Sequence, residues 1–383
     1  MKQNVQSNRG WIVAQPTRLA GGSFLIVTML LFSAITSGCG SIGPKAVNRD
    51  RFDYITAISE SWKQQTLLNI VKLRYMDVPV FMEVGQVISG YELESTVSAG
   101  GTLGDKAWRT AGGALGTFVD VGASGRYLDR PTVTYAPLTG PEFVRTMMTP
   151  FPPGTIMFLV EAGWPVDLIL QVGVQAINGL RNHKGGPYGH PADPEFTEVI
   201  RLLQRIQLSG GIGFKLTREK EGQEATVLMF HTRRLTPETA RDVAEVRRLL
   251  RLNPEVNDVR IAYGADILSD DEIALHTRSG YQVLIELAWL VSVPPEHVSD
   301  HRTLGTKAPL SEETGTLRPI MSIQSGTEQT DKSFTQVKYR DHWYWIDDRD
   351  MASKRVFTFL TVLFTLSETG QKIQQPILTI RAN

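Results

Sequence analysis

The run Pro194-Glu195-Phe196-Thr197-Glu198-Val199-Ile200-Arg201-Leu202-Leu203-Gln204-Arg205-Ile206-Gln207-Leu208, followed by Ser209-Gly210-Gly211-Ile212-Gly213-Phe214-Lys215-Leu216-Thr217-Arg218, decides the fold. It reads as a helix over 194–208 that stops at a glycine pair and gives way to a strand over 211–218. A further strand over 224–231 follows. The rhythm then recurs: helix 236–252, introduced by Thr236-Pro237-Glu238, leads to strands 256–263 and 272–278. Helix 280–292 leads, through a polar irregular stretch from Glu296 to Thr316, to strands 319–324, 334–339 and 342–346. Helix 350–367 and a strand over 376–381 close the series. Hairpins alternating with single helices predict an α+β fold, with antiparallel sheets built from hairpins and helices packed mainly on one face. No sequence repeat accompanies this rhythm.

Upstream of this C-terminal region (193–383), residues 51–192 form an N-terminal region of different texture. From Asp53 to Tyr75, Tyr54, Ile58, Trp62, Leu68 and Val71 recur at helical spacing, predicting a docked helix ended by Asp77 and Pro79. From Val80 onward the period becomes two. Segments 91–103 and 115–127 read as the strands of a long hairpin with a loose tip around Gly104, Gly112 and Gly113. Eight glycines between Gly100 and Gly125 would weaken an ordinary strand pair. Arg130 to Tyr135 is extended, and Gly140 to Met148 is a short helix stopped by prolines. Gly154–Ala162 and Pro165–Leu180 read as two buried helices, too short for a membrane span. Arg181 to Pro194 reads as a polar loop.

The N-terminus supplies the most specific signal. Phe24 to Ile35 is an apolar run preceded by Lys2, Arg9 and Arg18, with no acidic residue before Cys39. This is the charged and apolar layout of a secretory signal. Thr36-Ser37-Gly38-Cys39 resembles the lipobox of bacterial lipoproteins, although that family prefers Leu where Thr36 stands. The resemblance implies a signal peptide over 1–38, acylation of Cys39 and a lipidated tether over 39–50. Cys39 is the only cysteine, so no intramolecular disulfide can form. By the same resemblance Gly40, in place of the Asp of inner-membrane lipoproteins, implies the outer membrane as destination, and the lipid-anchored protein is expected there facing the periplasm.

The chain holds 40 basic and 40 acidic residues, and loss of the leader removes only basic ones. A slightly acidic exported chain is not expected to bind nucleic acid. The seven histidines are scattered, with His183 and His190 in a polar loop and His297 and His301 one helical turn apart. Neither pair sits in a zinc signature, and no metal or cofactor is expected. There is no Gly-x-Ser-x-Gly elbow. Gly210-Gly211-Ile212-Gly213 runs from helix to strand, the reverse of a phosphate cradle, and reads as a helix C-cap.

The densest feature is Tyr339-Arg340-Asp341-His342-Trp343-Tyr344-Trp345-Ile346-Asp347-Asp348-Arg349-Asp350, with four aromatics and four aspartates. Arg340-Asp341 can turn a hairpin, and Asp348 or Asp350 can cap the next helix, with Lys354 and Arg355 in reach. Trp343 and Trp345 share one face, expected to supply a core residue; Tyr344 is expected on the more exposed opposite face. Trp343, Tyr344 and Trp345 are the candidate partner-binding residues. Leu67 to Tyr75, Arg130 to Leu138 and Tyr344 to Asp350 resemble an uncharacterised family of proteobacterial lipoproteins, which brings no activity or site residues with it.

Three readings of function follow. The first is a noncatalytic, lipid-anchored envelope protein, held to the membrane by its N-terminal lipid and binding an envelope protein or glycan. The second is a cell-wall hydrolase drawing on Asp341, Asp347, Asp348 and Asp350. The third is a subunit of an oligomeric outer-membrane assembly, in which each copy lends the 91–127 hairpin to a shared barrel.

Overall fold

The computed structural model describes residues 43–88, 91–102, 118–129, 132–218, 224–231, 235–266, 269–305, 320–367 and 378–381. The leader over 1–38, Cys39 and the tip of the glycine-rich hairpin lie outside these residues. The elements begin with α1 (Gly43–Arg74), β1 (Phe81–Ile88), β2 (Tyr91–Thr102), β3 (Phe118–Asp129) and β4 (Thr132–Leu138). Next come α2 (Pro141–Met148), α3 (Pro153–Glu161), α4 (Val166–Gly173), β5 (Val174–Ile177) and β6 (Leu180–Arg181). Then follow α5 (Pro194–Leu208), β7 (Ile212–Arg218), β8 (Glu224–Phe230), α6 (Pro237–Leu249), β9 (Asp258–Tyr263) and β10 (Glu272–Thr277). The series ends with α7 (Gly280–Ala288), α8 (Pro295–Ser299), β11 (Gln324–Gly326), β12 (Ser333–Tyr339), β13 (His342–Asp347), α9 (Met351–Ser367) and β14 (Leu378–Arg381). The fold is α+β.

By contacts the chain divides into residues 1–59 and residues 60–383. In the first unit α1 starts at Gly43, inside the expected tether. Pro44 does not prevent this, because the first helical turn needs no N–H from it. Phe52, Ile55 and Ile58 are exposed there, so Ile58 does not join the predicted docked face. In the second unit Leu67, Ile70 and Val71 are fully buried in the main core, with Trp62 and Leu68 packed at its margin.

β1 lies at one edge of the antiparallel sheet β1-β4-β14. Gln65 and Asn69, one turn apart on α1, close that edge with their side-chain amides. Gln65 accepts from the Met82 N–H (2.7 Å) and donates to its carbonyl (3.1 Å). Asn69 does the same for Val80, at 2.9 and 2.8 Å. The start of an otherwise open edge, at Val80 and Met82, is thereby satisfied by the helix.

The central sheet has six strands in the order β6-β5-β10-β9-β8-β7, so it draws on both sides of the boundary expected at 192/193. α3 packs across β7, β8 and β9, while α5 packs on α6. Two expectations are corrected here. The stretch 165–180 is not one helix: α4 ends at Gly173, and Asn178-Gly179, both at positive φ (47° and 80°), turn β5 into β6. That is the two-residue turn whose twist suits a hairpin. The strands near 256–263 and 272–278 are not a hairpin either. β9 and β10 run parallel, and among its described residues the connection from Gly264 to Asp271 contains no helix. It is pinned by Asn253 N–H to Asp270 O (2.8 Å) and Arg260 N–H to Asp271 O (3.0 Å).

Gly210-Gly211 does end a helix as read. Gly210 sits at φ +71°, and the Gly211 N–H reaches the Ile206 carbonyl at 2.8 Å in a Schellman cap. β2 and β3 pair over twelve consecutive positions, from Tyr91↔Asp129 to Thr102↔Phe118, as a two-stranded sheet.

Candidate functional site

The aromatic segment forms β13, the middle strand of the sheet β11-β13-β12. Arg340 and Asp341 have φ of 47° and 66°, the paired positive values of a tight hairpin turn, as the sequence indicates. The strand's two faces are used differently from the expectation. Tyr344 and Ile346 are fully buried, whereas Trp343 and Trp345 are half-buried. Tyr344 is therefore a core residue and not an accessible partner-binding one. The ladder explains why: Tyr344 opposes Val337, itself in the core, while Trp343 opposes Lys338 and Trp345 opposes Gln336. Alternation then carries the indoles to the outer, polar face. Gly326 lies beside Trp345, where a Cβ would come within 3.2 Å of the indole.

Beneath the hairpin the inner face meets a polar network. The Tyr75 hydroxyl is 2.6 Å from the Tyr344 hydroxyl and 2.6 Å from His297 Nδ1. The His297 ring lies edge-to-face with His342 at 4.7 Å, and His342 Nε2 reaches Glu296 at 2.9 Å. At the rim Tyr339 donates to Asp77 (2.9 Å), and the Arg340 guanidinium sits over the Tyr75 ring at 5.1 Å. Burial pushes the Tyr75 and Tyr344 phenols upward and the His297 imidazole downward. The Tyr339 hydroxyl, then the Val78 N–H, hold Asp77 below the usual carboxylate range. This network fastens α1, α8 and the hairpin together, and no part of it was legible from sequence spacing.

On the outer side a groove of about 890 Å³ runs between α1 and β12. Ser61, Gln64, Gln329, Gln336, Phe334 and Trp343 are among its lining residues. The ring of Phe334 is covered by the ammonium groups of Lys63 (4.7 Å) and Lys354 (5.2 Å), which leaves Trp343 as the aromatic wall. Amide and hydroxyl groups beside an indole can hold a neutral, hydroxyl- or amide-rich ligand by hydrogen bonds and ring contact.

The aspartates of the segment are engaged one by one. Asp347 pairs with Arg349 (3.2 Å) and Asp348 with Lys354 (2.8 Å). Asp350 caps α9, accepting from the Ser353 N–H at 3.0 Å and its hydroxyl at 2.5 Å. Asp341 lies in the exposed turn. These carboxylates do not converge on a common cleft, which is the geometry the hydrolase reading requires. The histidine pairs do not converge either. Lys184 and His190 exchange backbone bonds across the 183–190 loop, and His301 leaves α8 at φ 57°. Among the described residues no three metal-ligating side chains cluster.

That 183–190 loop is held by an almost fully buried cation. Arg278 donates to the carbonyls of Gln171 (2.7 Å), Val172 (3.1 Å) and His183 (2.6 Å), while Glu286 accepts from the Gly185 N–H at 2.8 Å. Its role is architectural. Compared with protein-family models, with curated proteins and with solved structures, the chain matches none.

Proposed function

We propose that this chain is a lipid-anchored protein of the bacterial cell envelope, acylated at Cys39, that binds a glycan of that envelope without turning it over. The groove between α1 and β12 carries this reading. It is open, lined by side-chain amides and hydroxyls together with the charged Glu60, Asp331 and Lys338, and walled by Trp343, a combination suited to a polar, polyhydroxyl strand. The leader and the lipobox-like Thr36-Ser37-Gly38-Cys39 support the location. The engagement of Asp347, Asp348 and Asp350 in ion pairs and a helix cap weighs against the hydrolase alternative.

The test is co-sedimentation of the full-length protein with purified cell-wall sacculi. Wild type is expected in the pellet, and Trp343→Ala is expected to lose about tenfold in affinity, equivalent to about 1.4 kcal/mol. Equal sedimentation of both, or none by wild type, contradicts the glycan reading.

A further inference from the structure

The β2–β3 hairpin stands apart from the rest of the sheet structure. Each strand runs twelve residues, and among the described residues each pairs only with the other. A lone two-stranded ribbon is marginal in water, and its two outer edges are open templates for further strands. The register divides most of the ribbon by position. Leu93 opposes Tyr127, Val97 opposes Ala123, Ala99 opposes Val121 and Gly101 opposes Val119, so most of the apolar positions of both strands coincide on one face. Among the paired positions 92–102 and 118–128 the charged residues (Glu92, Glu94, Asp120, Arg126) fall on the other face, together with Phe118 and Leu128, while Asp129 at the base falls on the apolar face. Tyr91 and Tyr127 fall on the apolar face at its base, where interfacial aromatics collect in membrane barrels. Twelve residues extend about 40 Å, or about 28 Å when tilted by roughly 45°, which matches a bilayer's hydrocarbon core.

We infer that the β2–β3 hairpins of several copies of this chain join edge to edge into one closed transmembrane barrel, apolar face to lipid and charged face to the lumen. The inference rests on the envelope reading above for its membrane. Further copies are the fitting occupant of the edges because one repeated contact, β3 of one copy against β2 of the next, pairs every edge in a closed ring. A single different partner would leave an edge open. Charge agrees with this arrangement. Repeating the internal register between copies, or staggering it by two residues toward the base as strand tilt requires, places Arg126 of one copy beside Glu94 or Glu92 of the next.

The test uses full-length protein extracted in detergent and assayed for acyl label. Native mass is expected to give at least four copies, since eight strands make the smallest such barrel. Thr96 and Ser124 oppose each other within a hairpin. Two differently tagged chains are therefore co-expressed, one Thr96→Cys and the other either Ser124→Cys (register repeated) or Gly122→Cys (register staggered by two), so that only neighbouring copies can form the disulfide. A disulfide-linked heterodimer is expected, absent when either variant is paired with wild type. Val121→Arg, on the lipid face, is expected to abolish the assembly, whereas Ser98→Arg, on the other face, retains it. An unchanged thermal melt for Val121→Arg separates loss of assembly from loss of folding. A monomeric mass, or no heterodimer, in acyl-labelled protein overturns the barrel and leaves the envelope reading standing. Missing acyl label overturns the envelope reading instead, and mass and cross-link are then read in whichever fraction holds the protein, so the two fail separately.

Discussion

Tyr344 and Trp343 are adjacent in sequence and opposite in consequence. Tyr344→Ala removes a fully buried ring and is expected to cost about 3–5 kcal/mol. Tyr344→Phe removes only the hydroxyl shared with Tyr75 and is expected to cost about 1–2 kcal/mol. Trp343→Ala, at a half-buried position on the groove wall, should cost less than Tyr344→Ala. Thermal melts check the order; a larger loss for Trp343→Ala would reverse the assignment of faces. The sequence showed that the two side chains lie on opposite faces but not which face meets the core. That choice is made by Val337 and Tyr75, partners distant in the chain. His297 gives a pH prediction at the same scale. Burial, then the charges of His342 and Arg302, hold its pKa below the ordinary 6.5, with Glu296 opposing and Arg340 adding to the effect. A base depressed in the fold is protonated more readily in the unfolded chain, so its stabilisation is full above about 6.5 and is lost as pH falls through the folded-state value. Melting temperature should therefore fall as pH drops below about 6.5, and His297→Asn should flatten that slope. An unchanged slope would remove His297 from the account.

Local chemistry made several elements legible. The Gly210-Gly211 stop, the Arg340-Asp341 turn and the Asp350 cap all stand where backbone preference puts them. The Asn178-Gly179 turn was equally legible, but the apolar residues on both sides disguised it as a continuous helix. The parallel β9–β10 pair was not legible, because two strands joined by a short loop ordinarily form a hairpin. Two substitutions test how elements are finished. Arg251 follows α6 at φ 55°, with the Leu252 N–H on the Arg247 carbonyl at 2.8 Å, so an L-residue occupies a left-handed cap. Arg251→Gly should stabilise by about 0.5–1 kcal/mol, the left-handed penalty less glycine's added chain entropy. Denaturant melts check it, and destabilisation would contradict the cap. Asn69→Leu leaves the Val80 N–H and carbonyl without their amide partner and should cost about 1–3 kcal/mol, with faster amide exchange at Val80. Unchanged exchange would mean that the α1 amides do not close the β1 edge.

At the scale of the whole molecule, acylation at Cys39 is proposed to hold the fold and its groove at the envelope. The groove drew on residues from α1 and from the β12–β13 hairpin, far apart in the chain, which is why the sequence singled out Trp343 but none of the glutamines beside it. In hosts where the residue after the acylated cysteine directs sorting, Gly40→Asp should move the protein from outer- to inner-membrane fractions. Unchanged fractionation would remove Gly40 as the determinant. Metabolic labelling with a clickable fatty acid tests the acylation of Cys39. Wild type should take up the label and appear in the membrane fraction, while Cys39→Ser should remain unlabelled and accumulate as precursor; equal labelling of the two, or none in wild type, contradicts the account.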